Sequence, residues 1–334
     1  MQFGVSISSM VQVPKGQDMQ RRITDIIDYL HEARRLGYEY VSLGQHYLAE
    51  PYQMFQPIPL YARLAPETGS MRLHTTILLP LQHPVELAEQ MATLDVITGG
   101  RMTMGIAIGY RQEEYDAFGV NPKQRVGRTL ECLEVVRRLW TEESVTFHGK
   151  HFHFDNVRLV TKPVQKPHPP IWVAANADAA IERAARLGLA WHINPHADYA
   201  TVARQVVLYR EAARKAGRTG NLDLPMNREV YCADTTERAF AEGQPYLGAK
   251  YLAYAQWGQD KALPGDEDFR KDFGDLQKGR FIVGSPDDCV AQLKPFRDLG
   301  VSVINFRMSW AGMPLELSLK SMRLVAEKVI PRLR

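Results

Sequence analysis

The chain has 334 residues, 45% hydrophobic and 24% charged, an ordinary soluble composition with enough apolar material for a sizeable core. Its 41 basic and 38 acidic residues leave a net charge of +3. They are spread without blocks, so nothing marks a nucleic-acid or acidic-membrane partner. Cys132, Cys232 and Cys289 lie far apart without CxxC spacing, which argues against a disulfide framework or a zinc site. The opening MQFGVSISSM has no basic flank, and no apolar stretch nears the roughly 18 residues a membrane span needs. The expectation is a cytoplasmic protein acting on a small molecule.

In chain order, eight strand-like runs stand out: Gln2 to Ser8, Glu39 to Leu43, Leu73 to Leu79, Met102 to Ile108, Ile171 to Ala175, Ala190 to Asn194, Met226 to Cys232 and Val301 to Arg307. Helical spacing separates them, as in Ile23, Ile26, Ile27 and Leu30, then Val85, Ala88, Met91 and Ala92, then Leu130, Leu133, Val136 and Trp140. Ile181, Ala184 and Ala185 continue the pattern, and four further helices fit around 199–213, 235–254, 286–299 and 315–330. This alternation predicts an α/β fold, a single (β/α)8 TIM barrel over residues 1–334 rather than a doubly wound sheet. Period-two aromatics around Gly149 predict an inserted β-hairpin at about 144–160. The Gly, Asp and Lys-rich stretch 258–280 has little periodicity and reads as a mobile loop or lid near the active face.

In such a barrel, reactive groups belong after the carboxyl ends of strands. His46, in Gly44-Gln45-His46-Tyr47, places a titratable imidazole there. Gly109, Tyr110 and Arg111 offer a close-approach glycine and a cation after the fourth run. Ala175, Asn176, Ala177 and Asp178 turn the fifth run into a helix whose small first residues suit a phosphate, with Asp178 also a candidate N-cap. Gln45, Met54, Phe55, His192, Phe306, Arg307 and Trp310 are candidates for a largely apolar substrate pocket with one cation. His148, His151 and His153 have no carboxylate or cysteine at ligand spacing, so the hairpin reads as packing and no metal is expected. No GxGxxG, GxSxG or Walker sequence appears, which directs the chemistry toward a bound cofactor.

Thr75-Thr76-Ile77-Leu78-Leu79-Pro80 with His83-Pro84, Gly100-Arg101, Glu113-Glu114-Tyr115 and Phe118-Gly119 resemble the luciferase-like flavin-dependent monooxygenases. The resemblance continues through FHGKHFHFDNVRL, KPVQKPHPPIWVAAN, AARLGLAW, VGSPDDCVAQL and LVAEKVIPRL. It implies an FMN-dependent monooxygenase that takes reduced flavin and molecular oxygen, through a C4a-hydroperoxyflavin, to oxidise a small organic substrate. It also implies a separate NAD(P)H-dependent flavin reductase and a homodimer. His46 then matches the active-site histidine facing the flavin, and 175–178 the phosphate turn. Thr75-Thr76 matches the place where the family often has a non-proline cis peptide behind the ring. The chain departs from the family at Gln45, where an acidic residue is common, and at Ala175 and Asn176, where glycine or serine is common. It also has Ile108 where bacterial luciferase carries an arginine. A deazaflavin-dependent hydride-transfer oxidoreductase and a non-catalytic flavin-binding protein are the alternatives.

Overall fold

The eight apolar runs form eight parallel strands, because each is flanked by glycine or proline punctuation and followed by an amphipathic helix that covers its outer face. The computed structural model describes residues 1–218, 220, 223–265 and 267–334. Its strands are β1 (Gln2–Ser6), β2 (Gln12–Pro14), β3 (Tyr40–Gly44), β4 (Tyr52–Met54), β5 (Arg72–Leu78), β6 (Met102–Ala107) and β7 (Val145–His148). Then come β8 (His153–Val157), β9 (Ile171–Ala174), β10 (Ala190–His192), β11 (Pro225–Cys232), β12 (Ile282–Gly284) and β13 (Val303–Arg307).

The main sheet runs β10-β9-β6-β5-β3-β1-β13-β11, with the three-residue β12 paired outside β11. It curls until its ends meet at a parallel bridge between Ile193 and Met226, where the Ile193 amide donates to the Pro225 carbonyl at 2.8 Å. Helices Met19–Arg35, Pro84–Ile97, Arg125–Thr141, Asp178–Arg186, Tyr199–Lys215 and Pro286–Asp298 lie between successive strands. Their termini carry local signals. Asp18 accepts from the Gln20 and Arg21 amides, and Ser285 with Asp288 forms a capping box.

Three features have no counterpart in the eight-run pattern. The short β2 and β4 pair antiparallel, placing Gln12 opposite Met54. Strand β12 is too short to show a period. Helix Pro57–Leu64 begins with proline in its first turn. Strands β7 and β8 pair antiparallel, and the Glu131 carboxylate of helix Arg125–Thr141 accepts the Lys150, His151 and Phe152 amides at 2.8, 2.8 and 3.2 Å. That carboxylate ties the hairpin turn to the helix layer.

Side chains alternate across the curled sheet, so every second residue fills its interior. At the amino end Tyr40 stacks on Trp172 with ring centres 5.8 Å apart, and Val303 completes this apolar floor. Above it His74 lies 4.6 Å from the Trp172 ring and 4.5 Å from the His192 ring. Space there is limiting. A Cβ on Gly105 would sit 2.4 Å from His74 Nε2 and 2.7 Å from Thr76 Oγ1. Gly105→Ala is therefore expected to destabilise the fold by about 1–3 kcal/mol through overpacking. Equilibrium denaturation reads this directly, and unchanged stability would mean the interior repacks freely.

Candidate active site

The carboxyl ends of the strands open into a cavity of about 730 Å³. Gln45, His46, Met54, Thr76, Gly109, Tyr110, Ala175, Asn176, Ala177, Asp178, His192 and Arg307 all line it. The sequence distributed these residues over seven separate segments, and strand alternation brings them to one space.

His46 follows β3 and is held by a buried carboxylate. Its Nδ1 lies 3.0 Å from Glu114 Oε1, which also accepts the Tyr47 amide at 2.9 Å. An ionised carboxylate only accepts, so in this contact Nδ1 is the donor and the other ring nitrogen, Nε2, is free of the clamp. The ring sits 5.7 Å from Tyr110 and 5.5 Å from Trp257. Burial pushes the Tyr110 phenol well up, so it stays protonated. Gln45 joins strand ends: Leu78 N–H donates to its Oε1 at 3.0 Å, while its own amide donates to Tyr47 Oη at 2.9 Å. Its polar atoms are thus spent on the protein.

Across the mouth, the turn 175–178 leads into helix Asp178–Arg186. The cap position is Ala177, without a side-chain bond, so Asp178 is the first helical residue and not the N-cap. Arg204 clasps the Asp178 carboxylate at 2.6 and 2.9 Å and holds it below the usual carboxylate range, with Gln205 adding to the shift. Asn176 Nδ2 donates to the Ala262 carbonyl at 3.2 Å. Arg125 and Arg183 line the same part of the cavity, and neither has an ion-pair partner among the described residues. Gly109 adopts φ +77°, which brings bare backbone to the wall nearby.

Several expected site residues lie elsewhere. Thr75 alternates outward from Thr76 and is fully buried against the helix layer. The Thr75-Thr76 peptide is trans; the cis bonds among the described residues are Glu50-Pro51 and Lys166-Pro167. Arg111 points away from the cavity, donating to the Tyr47 and Leu48 carbonyls at 2.7 and 3.0 Å. Phe55 packs against the main core. Phe306 also faces outward, 5.9 Å from the Phe3 ring, because it alternates with the inward Arg307. Trp310 lies behind the wall, its Nε1 donating to Glu229 Oε2 at 2.6 Å.

The segment 258–280 lies over the cavity and contributes Gly258, Gln259, Lys261, Ala262, Leu263 and Pro264 to its lining. Leu263, Phe269 and Leu276 are buried against helix Thr236–Gln256, so this stretch has a small core of its own. Asp266 of the expected lid lies outside the described residues. The residues that sequence reading missed are Glu114, Arg125, Arg183 and the buried pair Glu229 and Lys250. Glu114 carried one signal, its place in Glu113-Glu114-Tyr115; the others sit in helices or inside a strand with nothing local to mark them.

The chain matches the Luciferase-like monooxygenase family over residues 1–302 and belongs to it. It is an enzyme, a flavin-dependent oxidoreductase. It is 25% identical over 336 residues to the oxygenase component of flavin-dependent trigonelline monooxygenase from Acinetobacter baylyi, covering 96% of this chain and 93% of that protein. It is 30% identical over 183 residues to the F420-dependent hydroxymycolic acid dehydrogenase of Mycobacterium tuberculosis, covering 52% of this chain and 49% of that one. The crystal structure of monooxygenase RslO1 from Streptomyces bottropensis superposes with a TM-score of 0.87 at 28% identity, covering 100% of both chains. Among the described residues no helix is long and apolar enough to cross a membrane.

The cavity floor makes a pH prediction. Burial lowers the His192 imidazole to about 4, with the charge of Arg307 also lowering it, and burial holds His74 well below the usual imidazole range, with His192 adding to the shift. Both are neutral when folded but bind a proton near pH 6.5 when unfolded. Their contribution is complete above pH 6.5 and is lost as pH falls toward 4, at up to about 1.4 kcal/mol per pH unit for each imidazole. Stability measured from pH 7 to 5 should therefore fall less steeply in His192→Gln. Equal slopes in the two proteins would mean that His192 protonates in place.

Proposed function

We propose that this enzyme is an FMN-dependent monooxygenase that takes reduced flavin from a separate reductase and uses molecular oxygen to oxidise a small organic molecule. The carrying observation is one cavity with two unlike ends. Arg125, Arg183 and the first amides of helix Asp178–Arg186 make an anion-binding end, and His46 braced by Glu114 makes a proton-handling end. Its 730 Å³ lies within the usual range for cofactor and ligand sites.

The residues present fit the cofactor. Phosphate is favoured by the helix amides and the two partnerless guanidiniums. Gly109 keeps the wall beyond β6 low, and Thr76 lines the cavity. Bound reduced flavin would supply the electrons and the site of oxygen activation. His46 would deliver or remove a proton through Nε2, its orientation fixed by Glu114. The 258–264 segment would keep water from the reacting atoms.

A deazaflavin-dependent oxidoreductase is the second reading, favoured by one observation. The cavity continues between helices Arg125–Thr141 and Asp178–Arg186, along Leu130, Leu133, Ala184 and Leu187, where a longer cofactor tail would fit. Anaerobic titration with reduced FMN and with reduced deazaflavin separates the two. Tighter deazaflavin binding with no oxygen-dependent product would replace the first reading.

Asn176→Glu should weaken reduced-FMN binding by about 1–2 kcal/mol, roughly tenfold, through like-charge repulsion at the phosphate end. Unchanged affinity with the fold intact, checked by circular dichroism, would remove the phosphate assignment. For His46→Ala, flavin binding should persist while substrate oxidation slows by roughly 10² to 10⁴, and the oxygen consumed should appear as hydrogen peroxide. Wild-type turnover and coupling would reduce His46 to a loop residue.

A further inference from the structure

The cavity lining contains Arg125, Arg183, Lys261 and Arg307, against Asp178 as its one carboxylate among the described residues. Three of these cations lie on the 175–187 side or in the overlying segment. Arg307, at the end of β13, is separated from β9 by β10 and β11, so it stands apart from the phosphate end.

Other buried arginines nearby spend their Nη donors on backbone or carboxylate oxygens outside the cavity lining, although Arg111 Nε and Arg228 Nε and Nη2 have no partner among the described residues. Arg111 bonds the Tyr47 and Leu48 carbonyls, and Arg280 bonds the Leu276 and His196 carbonyls and Glu267. Arg307 lines the cavity itself. More than nine-tenths buried, it makes one long bond, Nη1 to Glu229 Oε1 at 3.3 Å, and its Nε is buried without a partner. Glu229 is shared, since Lys250 donates to the same oxygen and Trp310 to the other. A guanidinium is always charged, and leaving its donors unmet in a low-dielectric wall is costly. The neighbouring His192 and His196 are held neutral by burial and add no further positive charge beside it.

We infer that Arg307 is the recognition residue for an anionic substrate, a small organic carboxylate, with Glu229, Lys250 and Trp310 acting as positioning residues that fix its guanidinium toward the cavity. This names the substrate class of the site proposed above and rests on the cavity being the place of reaction. A carboxylate matches the planar fork of donors, and the apolar remainder of such a molecule would meet the wall formed by Met54 and Tyr254.

The test is calorimetric binding of benzoate, nicotinate, cyclohexanecarboxylate and octanoate against their carboxamides, in FMN-loaded protein and in wild-type, Arg307→Leu and Arg307→Lys forms. The wild type should bind at least one acid roughly 10- to 100-fold more tightly than its amide, the range of a charge-assisted hydrogen bond. Arg307→Leu should lose that preference while flavin absorbance changes on loading stay unchanged, and Arg307→Lys should keep part of it. Binding of no acid in the panel, equal binding of acid and amide, or a preference that survives Arg307→Leu would each overturn the inference. Should Arg307→Leu fail to fold, loss of the preference to below a few-fold in folded Arg307→Lys supports it, and full retention there refutes it. An acid preference in protein that does not take up FMN would sink the flavin reading and leave this one standing.

Discussion

Alternation of side chains along parallel strands is the constraint on which this site depends. Each strand presents every second residue to the interior and hands the other set to the helix layer. On β5 the inward set is His74, Thr76 and Leu78; on β13 it is Asn305 and Arg307, while Phe306 turns to Phe3. A one-residue shift in either strand would exchange a polar wall for an apolar one. The bridge between Ile193 and Met226 fixes that register where the sheet meets itself, beside His192 and Asn227.

Glu114 is the second fixed point. Fully buried, it gathers the His46 imidazole, the Tyr47 amide and, at 3.7 Å, the Arg111 guanidinium. A buried carboxylate would be costly alone, and two hydrogen bonds and a nearby guanidinium, all at Oε1, offset part of that cost, while Oε2 has no partner among the described residues. The consequence is geometric. The loop after β3 is clamped to helix Gln112–Ala117, and the histidine it carries cannot rotate without breaking a charge-assisted bond. Arg111 belongs to this clamp, which explains why a cation so well placed in the sequence contributes nothing to the cavity lining.

The strands and the loops that carry His46, Gly109 and Asn176 were legible because a hydrophobic run ending in turn residues specifies both the strand and its carboxyl end. What sequence could not resolve was facing. Thr75 and Thr76 are chemically alike, as Phe306 and Arg307 are equally at a strand end, and only the register tells which looks inward. Arg125 and Arg183 were illegible for another reason. They lie in helices whose apolar spacing speaks for packing; Arg183 sits in the helix that follows the 175–178 turn, while Arg125 comes to the same cavity from a helix distant in sequence. The segment 258–280 reads as loop because its period is broken by Pro264 and Gly265, yet Phe269 and Leu276 give it an anchored interior.

Charge completes the picture. The interior of the curled sheet carries neutral imidazoles, amides and hydroxyls beneath the cavity, and its buried carboxylate Glu229 is shared between Arg307 and Lys250. A low-dielectric floor under a cationic rim strengthens the field felt by any anion entering from solvent. With Asp178 already claimed by Arg204, and Glu229 shared between Arg307 and Lys250, positive charge exceeds negative at two separated places, beside the 175–178 turn and at Arg307. One anionic group would answer only one of them. The cavity therefore offers two separate positions for negative charge, with His46 among the residues that line the same space.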